Sequence, residues 1–373
     1  MRIFTISATQ VIESSDLDAL AAAGLPQLSY LWIACTRPEF ESLQPQVQSA
    51  LQSLCGVQLV DLHISDLLNP QLPSRYDYTS QYDVLVFRRL AASHAESDTP
   101  QAGLPTRLLP ARGGPPVLRR IDTSPVGFAL FDQVLLSVHP ADCAVRDAYA
   151  DKLLHWTSAE TRSGGTRLPG TPADLMLRIV NLIVDGYLGL RRQLTHQLDH
   201  WQTELINPKT RFNNWAALLE ARLSLHHLDE ICEDQRSAMQ DWIEALKTWP
   251  EADTLNAQRD RDLLQVRSRD VLEHIERVVH HVQRLEQSAE TAVQMHFSAQ
   301  SHRTNEIMRT LTVLTAIFLP LNLIAGIFGM NFEFIPLLHR SNGFWLAMTL
   351  MVATAFGLVV FFWRKRYLER SAR

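Results

Sequence analysis

Residues 310–332 read TLTVLTAIFLPLNLIAGIFGMNF and residues 341–363 read SNGFWLAMTLMVATAFGLVVFFW. Each stretch is 23 residues long and carries no charged side chain. A helix rising about 1.5 Å per residue needs roughly 20 apolar residues to cross the hydrocarbon core of a bilayer. The pair, joined by Glu333 to Arg340, therefore predicts a membrane protein with a two-helix foot. A buried hairpin in a soluble domain is the alternative, but core helices rarely run so long without a charge.

Working outward, basic residues identify the side of the membrane on which the ends lie. Arg364, Lys365, Arg366, Arg370 and Arg373 follow the second stretch with one acid, Glu369, among them, whereas the connecting loop has only Arg340. Both termini are expected in the cytoplasm and the loop outside. Phe344 and Trp345 at one end, and Phe361, Phe362, Trp363 and Tyr367 at the other, suit the two interfacial belts.

Ahead of the spans lies a body of ordinary globular composition, in a chain with 46% hydrophobic and 20% charged residues and a formal net charge of −5. That balance gives no reason to expect a nucleic-acid partner. Met1 to Ser7 lacks the pattern of a secretory leader, so the body is not expected to be exported. Cys35, Cys55, Cys143 and Cys232 have neither disulfide-framework nor zinc-site spacing, which fits a reducing compartment.

Residues 1–171 mix short β-rich runs with helical patterns and predict an α/β domain. Tyr30 to Ala34, Val57 to Leu62, Asp83 to Phe87 and Phe128 to Val138 read as strands, and Glu39 to Leu54 as a helix. Residues 91–126, rich in Pro, Gly and Arg, read as a long loop or insertion. From 172 to 306 the texture becomes helical. No glycine occurs between Gly189 and Gly326, and Pro208, Pro250 and Pro320 are the only prolines there. The breakers predict helices over about Pro172 to Ile206, Arg211 to Lys247, and Asp253 onward into the first span. On the last of these, Val271, Ile275, Val278, Val282, Leu285, Ala289 and Ala292 alternate steps of four and three, a coiled-coil rhythm that calls for partners. The remaining divisions are a first transmembrane helix at 307–332, an outer loop at 333–343, a second at 344–363 and a basic tail at 364–373.

Along the first span, Asn305, Met308, Leu311, Thr315, Leu319, Asn322 and Gly326 recur at three- or four-residue steps and form one stripe. Polar residues inside a membrane usually face a bundle interior or a water-filled cavity, and small ones favour helix contacts. The stripe thus predicts either a pore lining or a packing seam. Two spans enclose nothing by themselves, whereas a closed ring of identical subunits can place one helix from each around an axis.

At the outer end, Ala325-Gly326-Ile327-Phe328-Gly329-Met330-Asn331-Phe332-Glu333 resembles the CorA-type magnesium transporter family, whose signature Gly-Met-Asn closes the first of two C-terminal spans. Asn305-Glu306-Ile307-Met308-Arg309, Leu311-Thr312, Phe318-Leu319-Pro320-Leu321 and Ile324-Ala325-Gly326 resemble the same span in order and spacing. More loosely, His63 to Pro70 resembles an acidic segment of the family's cytoplasmic domain, and Ser268-Arg269-Asp270-Val271 the start of its stalk. The likeness covers most of the chain except residues 91–126. It implies a funnel-shaped homopentamer with an α/β cytoplasmic domain, a long-helix stalk and two transmembrane helices, in a bacterial-type inner membrane among lipids.

The resemblance further implies import of Mg²⁺, with Co²⁺ or Ni²⁺ as passengers, and closure by cytoplasmic Mg²⁺. Gly329, Met330 and Asn331 are then the selectivity filter, Glu333 the outer mouth, and the stripe from Asn305 to Gly326 the pore lining. Mg²⁺ dehydrates reluctantly, so an uncharged ring of Asn331 amides suits contact with its hydration shell. A further acid that the family often has after the loop proline is absent, since Leu337 and Leu338 follow Pro336. Asp66 and Asp270 are the sensing residues that the likeness implies; Ser65 and Gln294 stand where some members have additional acids.

Two other readings compete. His196 and His200, His226 and His227 with Asp229 and Glu230, and His280 and His281 are borderline ligands suited to zinc, which a related branch transports. A membrane-tethered scaffold would use the spans only as an anchor. No glycine-rich phosphate loop, nucleophile-base pair or hydrolase metal spacing is visible, so neither an enzyme nor an organic cofactor is expected.

Overall fold

The computed structural model describes residues 1–7, 9–25, 29–90, 123–156, 167–206, 215–249, 254–330 and 343–365. The chain divides into two compact units, one of residues 1–204 and 211–290, the other of residues 205–210 and 291–373.

The first unit is built on a seven-stranded sheet in the order β2-β1-β3-β7-β6-β5-β4. Its strands are β1 (Arg2–Ser7), β2 (Val11–Ser14), β3 (Ser29–Thr36), β4 (Arg75–Tyr78), β5 (Asp83–Leu90), β6 (Thr123–Leu130) and β7 (Val134–His139). Every neighbouring pair is antiparallel except β3 with β7, which run parallel with Leu31 opposite Val134 and Thr36 opposite His139. These two central strands are apolar on both faces because helices cover both. On one face Ile3, Leu31, Ile33, Val86, Ala129 and Val138 meet α1 (Leu17–Ala23), α2 (Arg37–Ser42), α3 (Gln44–Cys55) and α4 (Asp61–Leu68). On the other, Phe4, Trp32, Phe87 and Phe128 meet α5 (Ala144–Leu154) and α6 (Pro172–Ile206).

Four of the local expectations change, the first being that the insertion read over residues 91–126 stops short of Thr123, where β6 begins and pairs with Leu90 of β5. Val57 to Leu62 is not a strand: the Gln48 carboxamide takes the Leu59 N–H (2.8 Å) and carbonyl (2.9 Å), and the Tyr82 hydroxyl takes the Val60 N–H. With those ladder positions occupied by side chains, the chain turns directly into α4. Phe128 to Val138 is two strands, β6 and β7, closed by a Phe131 N–H to Val134 carbonyl bond of 2.9 Å. Glu39 to Leu54 breaks at Leu43 into α2 and α3; Thr36 and Glu39 form a capping box on α2 and a proline opens α3.

α7 (Trp215–Thr248) and α8 (Leu255–Phe328) complete the helical layer. All seven heptad positions from Val271 to Ala292 are buried. Those up to Ala289 are occupied by the chain's own α6 and α7, in one core with Leu190, Leu194, Leu225 and Trp242, so the rhythm does not call for a second chain. Trp242 donates to Ser268 Oγ (2.9 Å), which donates to the Leu264 carbonyl (2.8 Å), and Thr195 on α6 meets His281 Nε2 on α8 at 2.8 Å. Arg261 reaches back to the carbonyls of Leu246 (3.1 Å) and Trp249 (2.9 Å), supplying donors that the end of α7 lacks.

In the second unit, α8 continues to Phe328 and is followed by α9 (Gly343–Arg364). Both helices are long and apolar enough to cross a membrane, and almost none of their apolar surface is buried. An apolar surface of this size needs lipid or further protein around it.

Candidate functional site

The two apolar helices are not uniformly exposed. On α8 the withdrawn residues are Val313, Ala316, Ile317, Pro320, Leu321, Ile324 and Phe328. On α9 they are Ala347, Met351, Thr354, Ala355, Leu358, Val360 and Phe362. The three- and four-residue steps in each set mark a helix-packing face.

Asn305, Met308, Leu311, Thr315, Leu319, Asn322 and Gly326 are all exposed. Advancing a turn every 3.6 residues, they are centred roughly 180° from the withdrawn face of α8. The polar stripe is therefore not the seam between companion helices. Thr315 donates its hydroxyl proton to the Leu311 carbonyl (2.8 Å), as Thr312 does to Met308 (2.7 Å). With the proton committed to its own helix, the Thr315 oxygen presents only lone pairs outward. The Asn305 and Asn322 amides have no hydrogen-bond partner among the described residues, and both are open to solvent. Pro320 has no N–H, so the Ala316 carbonyl lacks its usual helical donor.

α8 ends at Phe328, and the Gly329 N–H still reaches the Ala325 carbonyl at 2.9 Å. A Cβ at 329 would lie 3.0 Å from that carbonyl oxygen, so glycine lets the chain leave the helix without a clash. Met330 is half exposed. Asn331, Glu333, Leu337 and Leu338 lie outside the described residues, as does the tail from Arg366 onward.

Asp66 and Asp270 lie in the first unit on separate elements, and no hydrogen bond or ion pair connects them. On α4, His63, Ile64 and Leu67 are buried and Asp66 sits at the rim. Its Oδ2 is 3.7 Å from Arg75 Nη1, while Arg75 Nη2 donates to Asp77 at 2.9 Å. The Tyr82 hydroxyl accepts the Val60 N–H and donates to His63 Nδ1 at 2.8 Å, which leaves the His63 proton on Nε2, 3.5 Å from Asp77. Burial raises the Asp77 pKa, but the Tyr78 N–H, His63 and Arg75 together bring it below the ordinary carboxylate value. A cation at Asp66 must therefore compete with Arg75. Asp270, on α8, is 60% exposed and among the described residues is paired only with His274 Nε2 at 3.8 Å, so its oxygens are open to an ion or its water shell. Sequence reading missed Arg75 and Tyr82, whose approach to α4 depends on strand pairing.

Three of the paired histidines, His226, His227 and His281, find other partners. His226 lies between Glu230 (3.7 Å) and Glu286 (3.8 Å), using opposite ring nitrogens, and His227 lies 3.5 Å from Glu230. Thr195 donates to the Arg191 carbonyl at 3.0 Å, so His281 is the donor to Thr195. Burial, then Arg191 and Arg284, hold the His281 pKa below its ordinary value. The side chains of His196 and His200 lie outside the described residues. Among the described residues, no three or more His, Cys, Asp or Glu are grouped to hold a metal ion.

Comparison with known proteins places this geometry. The cobalt/magnesium transport protein CorA of Thermotoga maritima is 26% identical over 201 residues, covering 52% of each chain. The magnesium transport protein CorA of Haemophilus influenzae is 35% identical over 101 residues, 27% of this chain and 32% of that one. This chain thus spans about half the length of the first relative and a third of the second. Among solved structures, the CorA magnesium transporter of Methanocaldococcus jannaschii aligns with a TM-score of 0.68 at 18% identity, covering 98% of both chains. The full-length CmaX protein aligns at 0.64 and 17% identity, covering 98% of this chain and 97% of its own. At such identities these likenesses establish the fold: a mixed-sheet domain, long helices and two apolar C-terminal helices. The family described as CorA-like Mg²⁺ transporter protein matches residues 29–366, and the chain belongs to that family.

Proposed function

We propose that this protein conducts hydrated Mg²⁺ into the cell through a homopentameric pore in a bacterial-type inner membrane, both termini being cytoplasmic. The observation that carries the reading is the exposed stripe from Asn305 to Gly326, set opposite the packing face of α8. In a ring, Asn305, Thr315 and Asn322 offer oxygens to the water shell of the ion. Met308, Leu311 and Leu319 form apolar constrictions, which gate by dewetting.

Gly329, Met330 and Asn331 make the filter, and Glu333 concentrates cations at the outer mouth. Asp66 and Asp270 act between neighbouring subunits as the sensor: bound Mg²⁺ joins their carboxylates, and its loss leaves like charges that loosen the ring. Moving two charges through a potential of about 100 mV releases roughly 4.6 kcal/mol, so inward flow needs no ATP. Co²⁺ and Ni²⁺ are the passengers we expect. Of the histidines that suit zinc, His226 and His227 lie beside glutamates and His281 is bonded to Thr195, and among the described residues no three or more His, Cys, Asp or Glu are grouped to hold a metal ion.

Proteoliposomes containing the purified chain provide the test. Mg²⁺ influx that rises with an inside-negative potential and falls as internal Mg²⁺ is raised is the expected result. Absence of influx for Mg²⁺, Co²⁺, Ni²⁺ and Zn²⁺ alike would leave the scaffold reading in its place.

A further inference from the structure

A cleft of about 1210 Å³ opens within the first unit, lined by the β4–β5 and β6–β7 turns, the start of α6, the end of α7 and the first turns of α8. It exceeds the roughly 300–1,000 Å³ usual for a drug-sized ligand, which suits an extended occupant. Aromatic rings make up part of the lining. Tyr76 stacks on Tyr78 at 6.1 Å, and Tyr82 leans on Phe131 at 5.0 Å. Trp249, half-buried, stands edge-on to Trp242 (5.7 Å), which is edge-on to Tyr76 (5.9 Å). Tyr78 is 67% exposed, so its ring is available to a ligand.

The lining holds six carboxylates, Asp77, Asp83, Asp132, Asp241, Glu244 and Asp260, against one cation, Arg261. Arg261 spends donors on the carbonyls that end α7. Arg75 offsets Asp77, Lys247 offsets Glu244, and Tyr76 donates to Asp83 at 2.6 Å. Asp132, Asp241 and Asp260 are exposed and make no hydrogen bond or ion pair among the described residues. Burial raises the Asp83 pKa against the Tyr76 hydrogen bond, and the Asp132 charge raises it further, so like charges already repel at this end of the cleft. A bare dication needs several oxygens converging on one point. These carboxylates are spread instead: among the described residues, no three or more His, Cys, Asp or Glu are grouped to hold a metal ion. A cation whose charge is distributed along a chain meets several of them at once.

We propose that this cleft binds a linear aliphatic polyamine, its ammonium groups set against Asp132, Asp241 and Asp260 and its methylene segments laid on Tyr78 and Trp249. Ammonium groups are drawn to ring faces as well as to carboxylates, and the methylenes between them cover apolar surface. A peptide strand fits less well, because the Tyr78 N–H at the end of edge strand β4 already bonds Asp77 Oδ1 at 2.8 Å and is not free to pair with it. The site lies within the first unit and does not depend on the proposed pore.

The test is calorimetric titration of spermidine into the full-length protein in detergent, with Mg²⁺ saturating in cell and syringe so that the carboxylates proposed to sense it are already occupied. Saturable heat with one spermidine per chain is expected. Asp241→Asn combined with Asp260→Asn removes two exposed charges, leaves no buried group unpaired and should weaken binding about fivefold; Tyr78→Ala should weaken it about threefold. Asp185→Asn, at an exposed acid on α6 outside the cleft, should leave it unchanged. Heats that match sodium chloride, unchanged affinity in the double variant, or an equal loss in Asp185→Asn would overturn the proposal. So would binding of an oligo-arginine peptide without binding of spermidine, which would assign the cleft to a protein partner.

Discussion

Replacing Gly127 by alanine tests how α4, and Asp66 with it, is seated on the sheet. An added Cβ would stand 2.3 Å from Leu67 Cδ2 and 3.5 Å from Leu67 Cα. The Leu67 methyl must therefore move by about an ångström to reach contact distance, while the backbone of α4 has room to stay. Leu67 is 2% exposed, so its side chain cannot swing into solvent. Leaving its rotamer costs about 0.5–1.5 kcal/mol, and overpacking a closed core raises the total to about 1–3 kcal/mol. For a body of this size each kcal/mol lowers the melting temperature by about 2–4 °C. Leu67→Ala alone should cost about 2–5 kcal/mol by leaving a cavity. In the double variant the new methyl occupies part of that cavity, so the combined loss should fall short of the sum by about 1 kcal/mol. Thermal melts of the four proteins in detergent measure this directly. If Gly127→Ala melts with the wild type, or if the two losses simply add, the seating of α4 on β6 is not as described.

Three further outcomes follow from the proposed pore and from the charge pattern of the first unit. Asn331→Ala should abolish Mg²⁺ influx in proteoliposomes with subunit count unchanged by mass measurement; retained influx would remove the filter assignment. Asn322→Leu, on the exposed stripe, should cut influx about tenfold, the weight of one lost polar contact to the ion's water shell, whereas Ile317→Leu on the packing face should change it less than twofold; equal effects would mean that the stripe does not border the ion. Burial holds the Asp83 pKa above the ordinary value although Tyr76 donates to it at 2.6 Å. The folded state therefore binds that proton more readily than the unfolded state, and its stability rises as pH falls through the raised pKa towards about 4. Asp83→Asn, which keeps the acceptor without the charge, should melt higher at pH 7 and show less of this rise; melts recorded from pH 7 to pH 4 that match the wild type would contradict it.

What could be read from the chain alone depended on how far each constraint reaches. The two spans were legible because lipid permits no charge over a known length, and the buried heptad positions because their rhythm is local. The occupant of that seam was not legible: periodicity says that a face is covered, and only the fold says that α6 and α7 cover it. Val57 to Leu62 looked like a strand until Gln48 and Tyr82, distant in sequence, took its backbone groups. The family resemblance singled out Asp66, but not Arg75, which approaches it only through the β4–β5 pairing. The same distinction decides which helix face argues for a ring of subunits. The apolar heptad seam up to Ala289 is filled within one chain and says nothing about a second. The stripe from Asn305 to Gly326 has no cover among the described residues, is turned away from the packing face of α8 and contains two amides without a hydrogen-bond partner among them. Bare amides facing hydrocarbon would each cost several kcal/mol, so water shared among several copies is the environment that suits this face.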